Sequence, residues 1–213
     1  MTVGYPEGNV VRRALAVLRD EGLASFGFKV ASTLGYRRLM LLERPLEGTL
    51  PQMACGLALG IELLAPRDVD DYLAFRPETA RERVLDRLRS GQACFVARHE
   101  GSVVSACWAT TEPAWSEYLA CQIPVEAGEV FMFDAFTHPA YRGRGIAPAL
   151  CAQQLIHYGQ AGLRRATRAV LPENAPARRA HAKAGFRPYA MIRTLRIGPW
   201  QRRFSGPCKG AGR

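Results

Sequence analysis

Apolar residues recur along this chain at two periods, and the switches between them mark out its elements. From Asn9 to about Ser32 the positions Val11, Ala14, Leu15, Leu18, Leu23 and Phe26 step mostly by threes and fours, with Arg12, Arg13, Arg19 and Asp20 between them. That spacing predicts an amphipathic helix, broken in two by Gly22 and Gly27. Arg37 to Arg44 encloses Leu39-Met40-Leu41-Leu42 and reads either as a strand or as the end of this N-terminal segment. Pro45 to Pro51 is a connector. Leu57 to Leu64 is the first strand of the main domain. A short helix runs from Asp68 through Phe75 with acids at its positive end, and a second from Pro77-Glu78 through about Arg89. Cys94–Arg98 and Val103–Ala109 are apolar runs joined by a tight polar turn, which predicts a hairpin. Thr111 to Gly128 has no firm period and predicts a long loop of the kind that is often functional.

The next stretch carries the densest signal. Val130 to Thr137 is an apolar run interrupted by Asp134. After the turn His138-Pro139-Ala140 comes Tyr141-Arg142-Gly143-Arg144-Gly145-Ile146-Ala147, then an amphipathic helix from Pro148 to Tyr158. A strand entering a Gly-rich turn and then a helix N-terminus is an anion site, because exposed N–H groups and the helix dipole both favour negative charge. Arg165 to Leu171 is a further strand, Asn174 to Lys183 a helix ended by Ala184-Gly185, and Phe186 to Ile197 the last strand. The order β, α, α, β, β, β, α, β, α, β predicts an α+β (mixed α/β) domain built on one sheet. Three regions follow: residues 1–50 as an N-terminal helical appendage, 51–200 as the domain, and 201–213 as a flexible basic tail.

Composition narrows this. With 213 residues, 48% of them hydrophobic, the chain can bury a full core and is not disordered in character. No apolar run approaches the roughly 18 residues of a membrane span, and the N-terminus lacks the basic-then-apolar order of a signal peptide, so a cytoplasmic protein is expected. The six cysteines are scattered without metal-ligand spacing, which argues against a disulfide scaffold and against a metal site. Charge is uneven: residues 138–213 hold 15 of the 29 Lys and Arg but only Glu173 among the acids, whereas residues 51–137 hold 7 basic and 13 acidic residues. A polyanionic partner of the C-terminal half would explain the asymmetry, and so would an Arg-rich surface without function. Nucleic acid is disfavoured, because no aromatic-interleaved basic stripe or reader motif is present.

Tyr141 to Ala147 fits the Arg/Gln-x-x-Gly-x-Gly/Ala signature of the GNAT acyltransferase superfamily, with its preceding strand and following helix. Asn174-x-x-Ala177 and Lys183-Ala184-Gly185-Phe186 resemble that superfamily's second conserved region, and the element order from Leu57 to Ile197 is similar too. The resemblance implies a central mixed, mostly antiparallel sheet flanked by helices, and an N-acetyltransferase with acetyl-CoA or another acyl-CoA as co-substrate and no metal. The backbone of Arg142, Gly143, Arg144, Gly145, Ile146 and Ala147 would then meet the pyrophosphate. Phe136 and Thr137 would present the strand edge that meets the pantetheine arm and the thioester. Asn174 would bond that arm, or simply cap its helix.

Acyl transfer to an amine also needs an acid and a base. The superfamily's tyrosine acid falls here on His181, which suits that role only with a pKa near neutrality. Asp134 is the first candidate base, burial being expected to raise its pKa, and Glu129 the second; Asp134 is alternatively a structural carboxylate holding the cleft together. The expected partners are an acyl-CoA and an amine acceptor. Residues 1–50 have several open roles: covering the acceptor cleft, building a homodimer, or touching a membrane through residues 9–32, of which packing on the domain or a partner subunit is favoured over the membrane. A GNAT-like domain that binds acyl-CoA without turnover is the alternative function.

Overall fold

A computed structural model describes residues 35–48, 53 and 55–208. The helix expected over residues 9–32 lies outside them. Among the described residues eight strands form one sheet, in the order β10-β9-β1-β8-β7-β4-β3-β2. The strands are β1 (Tyr36–Pro45), β2 (Gly60–Leu63), β3 (Ala93–His99), β4 (Ser102–Thr110), β7 (Glu129–Thr137), β8 (Arg165–Val170), β9 (Arg187–Ile197) and β10 (Trp200–Pro207). A separate two-stranded hairpin joins β5 (Ala114–Ser116) to β6 (Cys121–Ile123). Four helices complete the order: α1 (Val69–Phe75), α2 (Arg81–Arg89), α3 (Ile146–Gln160) and α4 (Ala175–Lys183). Every neighbouring pair in the large sheet is antiparallel except β7 and β8. This is the mixed, mostly antiparallel sheet that the resemblance implies.

Two cores lie on opposite faces of the sheet. On one, Tyr72, Phe75 and Val84 of α1 and α2 pack against Val96, Ala106 and Trp108. On the other, Ile146, Leu150, Leu155 and Tyr158 of α3 pack against Phe95, Cys107, Val130 and Met132. β4 is buried from Val103 to Thr110 because both its faces are covered, which is why it is a continuous apolar run rather than an alternating one. The β5–β6 hairpin occupies the segment expected to be a loop, and its Ala114, Leu119 and Ile123 cover Leu41, Phe131 and Ile192.

Two of the expected boundaries are corrected. Residues 36–45 do not belong to a helical appendage: β1 lies inside the sheet, paired with β8 on one side and β9 on the other. Its run Leu39-Met40-Leu41-Leu42 is apolar because an interior strand needs partners on both faces; Leu41 and Leu42 are 4% and 3% exposed, in different cores. Residues 201–207 are not a loose tail either, since they form β10 on β9. As an edge strand β10 can remain polar, and its exposed arginines suit an edge.

Candidate functional site

The site starts where the one parallel pair comes apart. β7 and β8 are in register only from Glu129↔Arg165 to Phe131↔Thr167. Beyond Phe131 the β8 side of β7 has no strand partner, although β7 continues to Thr137. Its other side stays on β4, but with a bulge: Trp108 pairs with Phe133 and Ala106 with Phe136, so Asp134 and Ala135 stand opposite the single Cys107. Asp134 takes up the extra residue at φ 48°, in the left-handed region. The two strands thus open into a fork midway along β7.

At the wide end of the fork β7 turns into α3. Gly143 and Gly145 both have positive φ, 77° and 81°, and Gly145 caps α3 with no side-chain hydrogen bond. The first-turn N–H groups of a helix have no partner within it, so this end of α3 offers donors to an anion. A Cβ built on Gly143 would meet nothing within 4 Å, so the loop surface there is open. Pro148, in the first turn, supplies no N–H, which leaves the donors to the residues from Gly143 to Ala147. Arg142 does not point outward: its Nε donates to the Thr137 carbonyl at 3.1 Å, and its guanidinium lies over the Phe136 ring. Arg144 stacks over Tyr141, while its carbonyl accepts from the Gly56 N–H and the Cys55 thiol.

Beside this helix end lies a cavity of about 410 Å³, lined by Ala147, Pro148 and Cys151 of α3, by Pro176 to Ala184 of α4 in part, by Met53, and by Arg168 of β8. Its basic residues are Arg168, Arg179 and Lys183, and among the described residues no carboxylate lines it. Arg168 is 7% exposed, yet no carboxylate among the described residues pairs with it. One terminal nitrogen lies 3.5 Å from the Cys107 sulfur and 4.0 Å from that of Met132, its guanidinium sits over Phe186, and its buried Nε has no hydrogen-bond partner. The sequence shows Arg168 only as one of several basic residues in an alternating strand. An arginine on the core face of an interior strand was the available signal.

The expected acid and bases are placed less favourably. His181 does line the cavity, edge-on to Phe186. Burial, with the Arg168 charge nearby, lowers its pKa from 6.5 to about 4. It is therefore neutral near pH 7, which does not favour it as a proton-donating imidazolium. Asp134 is not buried, contrary to expectation; Arg87 donates to it at 2.7 Å and Arg76 lies at 3.6 Å, ion pairs of the kind a structural carboxylate makes. Glu129 is buried at the closed end of the fork and bound by Arg165, with its other oxygen accepting from the Glu126 N–H. Eight residues of strand, about 26 Å, separate it from Thr137.

Phe136 and Thr137 stand at the opening with their carbonyls already satisfied, by the Ser105 hydroxyl and by Arg142 respectively. Asn174 caps α4, accepting from the Ala177 N–H at 3.1 Å, which is the structural one of its two expected roles. On the opposite face, α2 and the β5–β6 hairpin bound a second cleft of about 610 Å³, reaching Phe133 and Trp115 and lined by charges of both signs: Glu82, Asp86 and Glu117 with Arg83 and Arg87. Arg83 pairs with Glu117 at 2.6 Å.

Comparison with known proteins follows the same geometry. Residues 62–186 match the model of the Acetyltransferase (GNAT) family. The chain superposes on a GCN5-related N-acetyltransferase from Sphaerobacter thermophilus with a TM-score of 0.57 at 17% identity, covering 86% of this chain and 56% of that one. A protein described as a GNAT-family acetyltransferase from Novosphingobium aromaticivorans gives 0.52 at 19% identity, over 82% and 69% of the two chains. The glucosamine N-acetyltransferase region of a fungal multi-domain GH3 β-N-acetylglucosaminidase gives 0.57 at 16% identity, over 87% of this chain and 23% of that one. No curated protein sequence matches the chain.

Proposed function

The chain belongs to the GNAT acetyltransferase family, and from that premise we propose that it is an acyl-CoA-dependent N-acetyltransferase in which an amine attacks the thioester directly. The observation that carries the reading is the fork between β7 and β8, opening onto the uncapped N-terminus of α3. The N–H groups of Gly143 to Ala147 would hold the pyrophosphate, and Arg179 and Lys183 would add charge at the cavity rim. The residues fit such a ligand: the cavity is basic, has no carboxylate among the described residues, and adjoins donors without intrahelical partners. The unpaired edge of β7 beyond Phe131 offers backbone N–H groups to a polarised thioester carbonyl, an electrostatic contribution to its attack.

The amine acceptor would approach from the other face, through the cleft between α2 and the β5–β6 hairpin. Its acids Glu82, Asp86 and Glu117 stand beside Arg83 and Arg87, so the cleft offers groups of both signs to a polar acceptor, and exposed Trp115 suits contact with an apolar part of it. Titration calorimetry with acetyl-CoA tests the cofactor half. Gly145→Glu, which puts bulk and negative charge where the pyrophosphate would lie, is expected to weaken binding by at least about tenfold, or about 1.4 kcal/mol; unchanged affinity would sink the proposal. CoA release against a panel of amines tests the rest. His181 in its neutral state favours one alternative, a module that binds acyl-CoA without turnover. Tight binding with no amine-dependent release would support that alternative instead.

A further inference from the structure

Arg168 is the one described arginine that is both buried and without a carbonyl or carboxylate partner for its guanidinium. An arginine stays charged in proteins, so this is a buried cation whose contacts among the described residues are two sulfurs and an aromatic ring. Burying a charge without a counterion is costly, and such a residue is retained where an anion arrives. Its position narrows which anion. Thr167 is the last residue of β8 paired with β7, so Arg168 is the first residue past the fork. It lines the same cavity as Ala147 and Pro148 in the first turn of α3, and it is itself buried. A phosphate seated on the loop would leave the other end of the same ligand near the fork.

Resting on the acyltransfer reading above, we propose that Arg168 receives the negative charge that develops on the coenzyme A sulfur, so that the thiolate leaves stabilised by a fixed cation rather than by a donated proton. In that step the amine nitrogen forms its bond to the acyl carbon and the carbon–sulfur bond breaks. The electron pair leaves on sulfur, and the amine's proton passes to solvent. The groups around Arg168 are consistent with this. From α4, Arg179 and Lys183 line the same cavity and add positive charge, while His181 is held neutral by burial and by Arg168. From α3 and β4 come Cys151 and Cys107, and burial pushes the Cys107 thiol up, so it remains protonated and is not a counterion. From β7 comes the thioether of Met132.

The test compares CoA with desulfo-CoA, which lacks the thiol, binding to the full chain between about pH 6 and 9, a range that spans the ordinary thiol pKa of about 8.5. CoA affinity is expected to rise with pH relative to desulfo-CoA, with thiolate absorbance of the bound ligand appearing below that pKa. Arg168→Met removes this difference and lowers kcat by on the order of a hundredfold with little change in KM, whereas Arg168→Lys restores part of both. The wild-type measurement stands even if Arg168→Met fails to fold. Equal pH dependence for the two ligands overturns the assignment to sulfur while leaving acyl-CoA binding intact. So does a loss in Arg168→Met confined to acyl-CoA substrates ending in a carboxylate, since the cation would then be reading the acyl group. Binding of neither ligand overturns this proposal and the acyltransfer reading together.

Discussion

Gly185 joins two parts of the chain far apart in sequence. It has φ 82° after the C-terminus of α4, and the Arg44 guanidinium from β1 reaches past it to the carbonyl of Ala184. A Cβ at this position would lie 2.5 Å from that guanidinium. Gly185→Ala therefore carries a left-handed backbone penalty of about 1–2 kcal/mol and also displaces Arg44 from the carbonyl it caps. A lowered Tm is expected, and an unchanged one would contradict both the backbone penalty and the cost of displacing Arg44. His181 makes the second residue-scale prediction. Its folded pKa of about 4 lies below its ordinary 6.5, so the unfolded chain takes up a proton first as the pH falls. Its contribution is undiminished above about pH 6.5 and is lost progressively down to about pH 4. The loss is about 1–2 kcal/mol once partial exposure is discounted. Denaturant unfolding of His181→Gln across that window should show a flatter pH dependence than the wild type, and parallel curves would contradict the burial argument.

At the scale of elements, β1 matters most. It fills the place between β8 and β9, and without it the sheet would be cut in two, since β8 and β9 do not pair with each other. A chain starting at residue 51, the boundary that composition suggests, is expected to lose cooperative unfolding, and a sharp thermal transition in that fragment would refute the strand's importance. That boundary also shows what the sequence conveyed and what it did not. Periodicity was sufficient for the α3 and α4 regions and for the β3–β4 hairpin, because each is local and bounded by glycines or prolines. It could not place β1, because an interior strand and a buried helix end have the same apolar run, and its partners lie over a hundred residues away. The turn at Gly143 and Gly145 was legible for a similar reason to α3: two glycines must supply positive φ within three residues. Arg168 was not legible as a site residue, since its isolation depends on which side chains meet it from α3, α4, β4 and β7. Asp134 misled for the opposite reason. A carboxylate in an apolar run suggests burial, but the bulge turns it out of the core toward arginines on and beside α2.

Over the whole molecule, part of the charge asymmetry along the sequence survives as a basic cavity on one face of the sheet. Much of the basic excess of the C-terminal half is consumed internally: Arg165 and Arg187 bind Glu43, Arg164 the Ala127 carbonyl, and Arg178 the Pro172 carbonyl. The cations that remain at the cavity are Arg168, Arg179 and Lys183, on the face carrying α3 and α4. The cleft on the opposite face is of mixed charge, with Glu82, Asp86 and Glu117 beside Arg83 and Arg87. An anionic acyl donor would thus be attracted to the side of the fork that carries α3 and α4. Arg179 and Lys183 are exposed, so reversing their charge should leave the fold intact. Arg179→Glu with Lys183→Glu is expected to weaken acetyl-CoA binding by roughly tenfold or more at low salt. The difference from wild type should shrink as ionic strength brings the screening length down to about 8 Å. A gap that persists undiminished at high salt would mean that these side chains make direct contacts instead of contributing a field, and the electrostatic attraction of the donor would have to be given up.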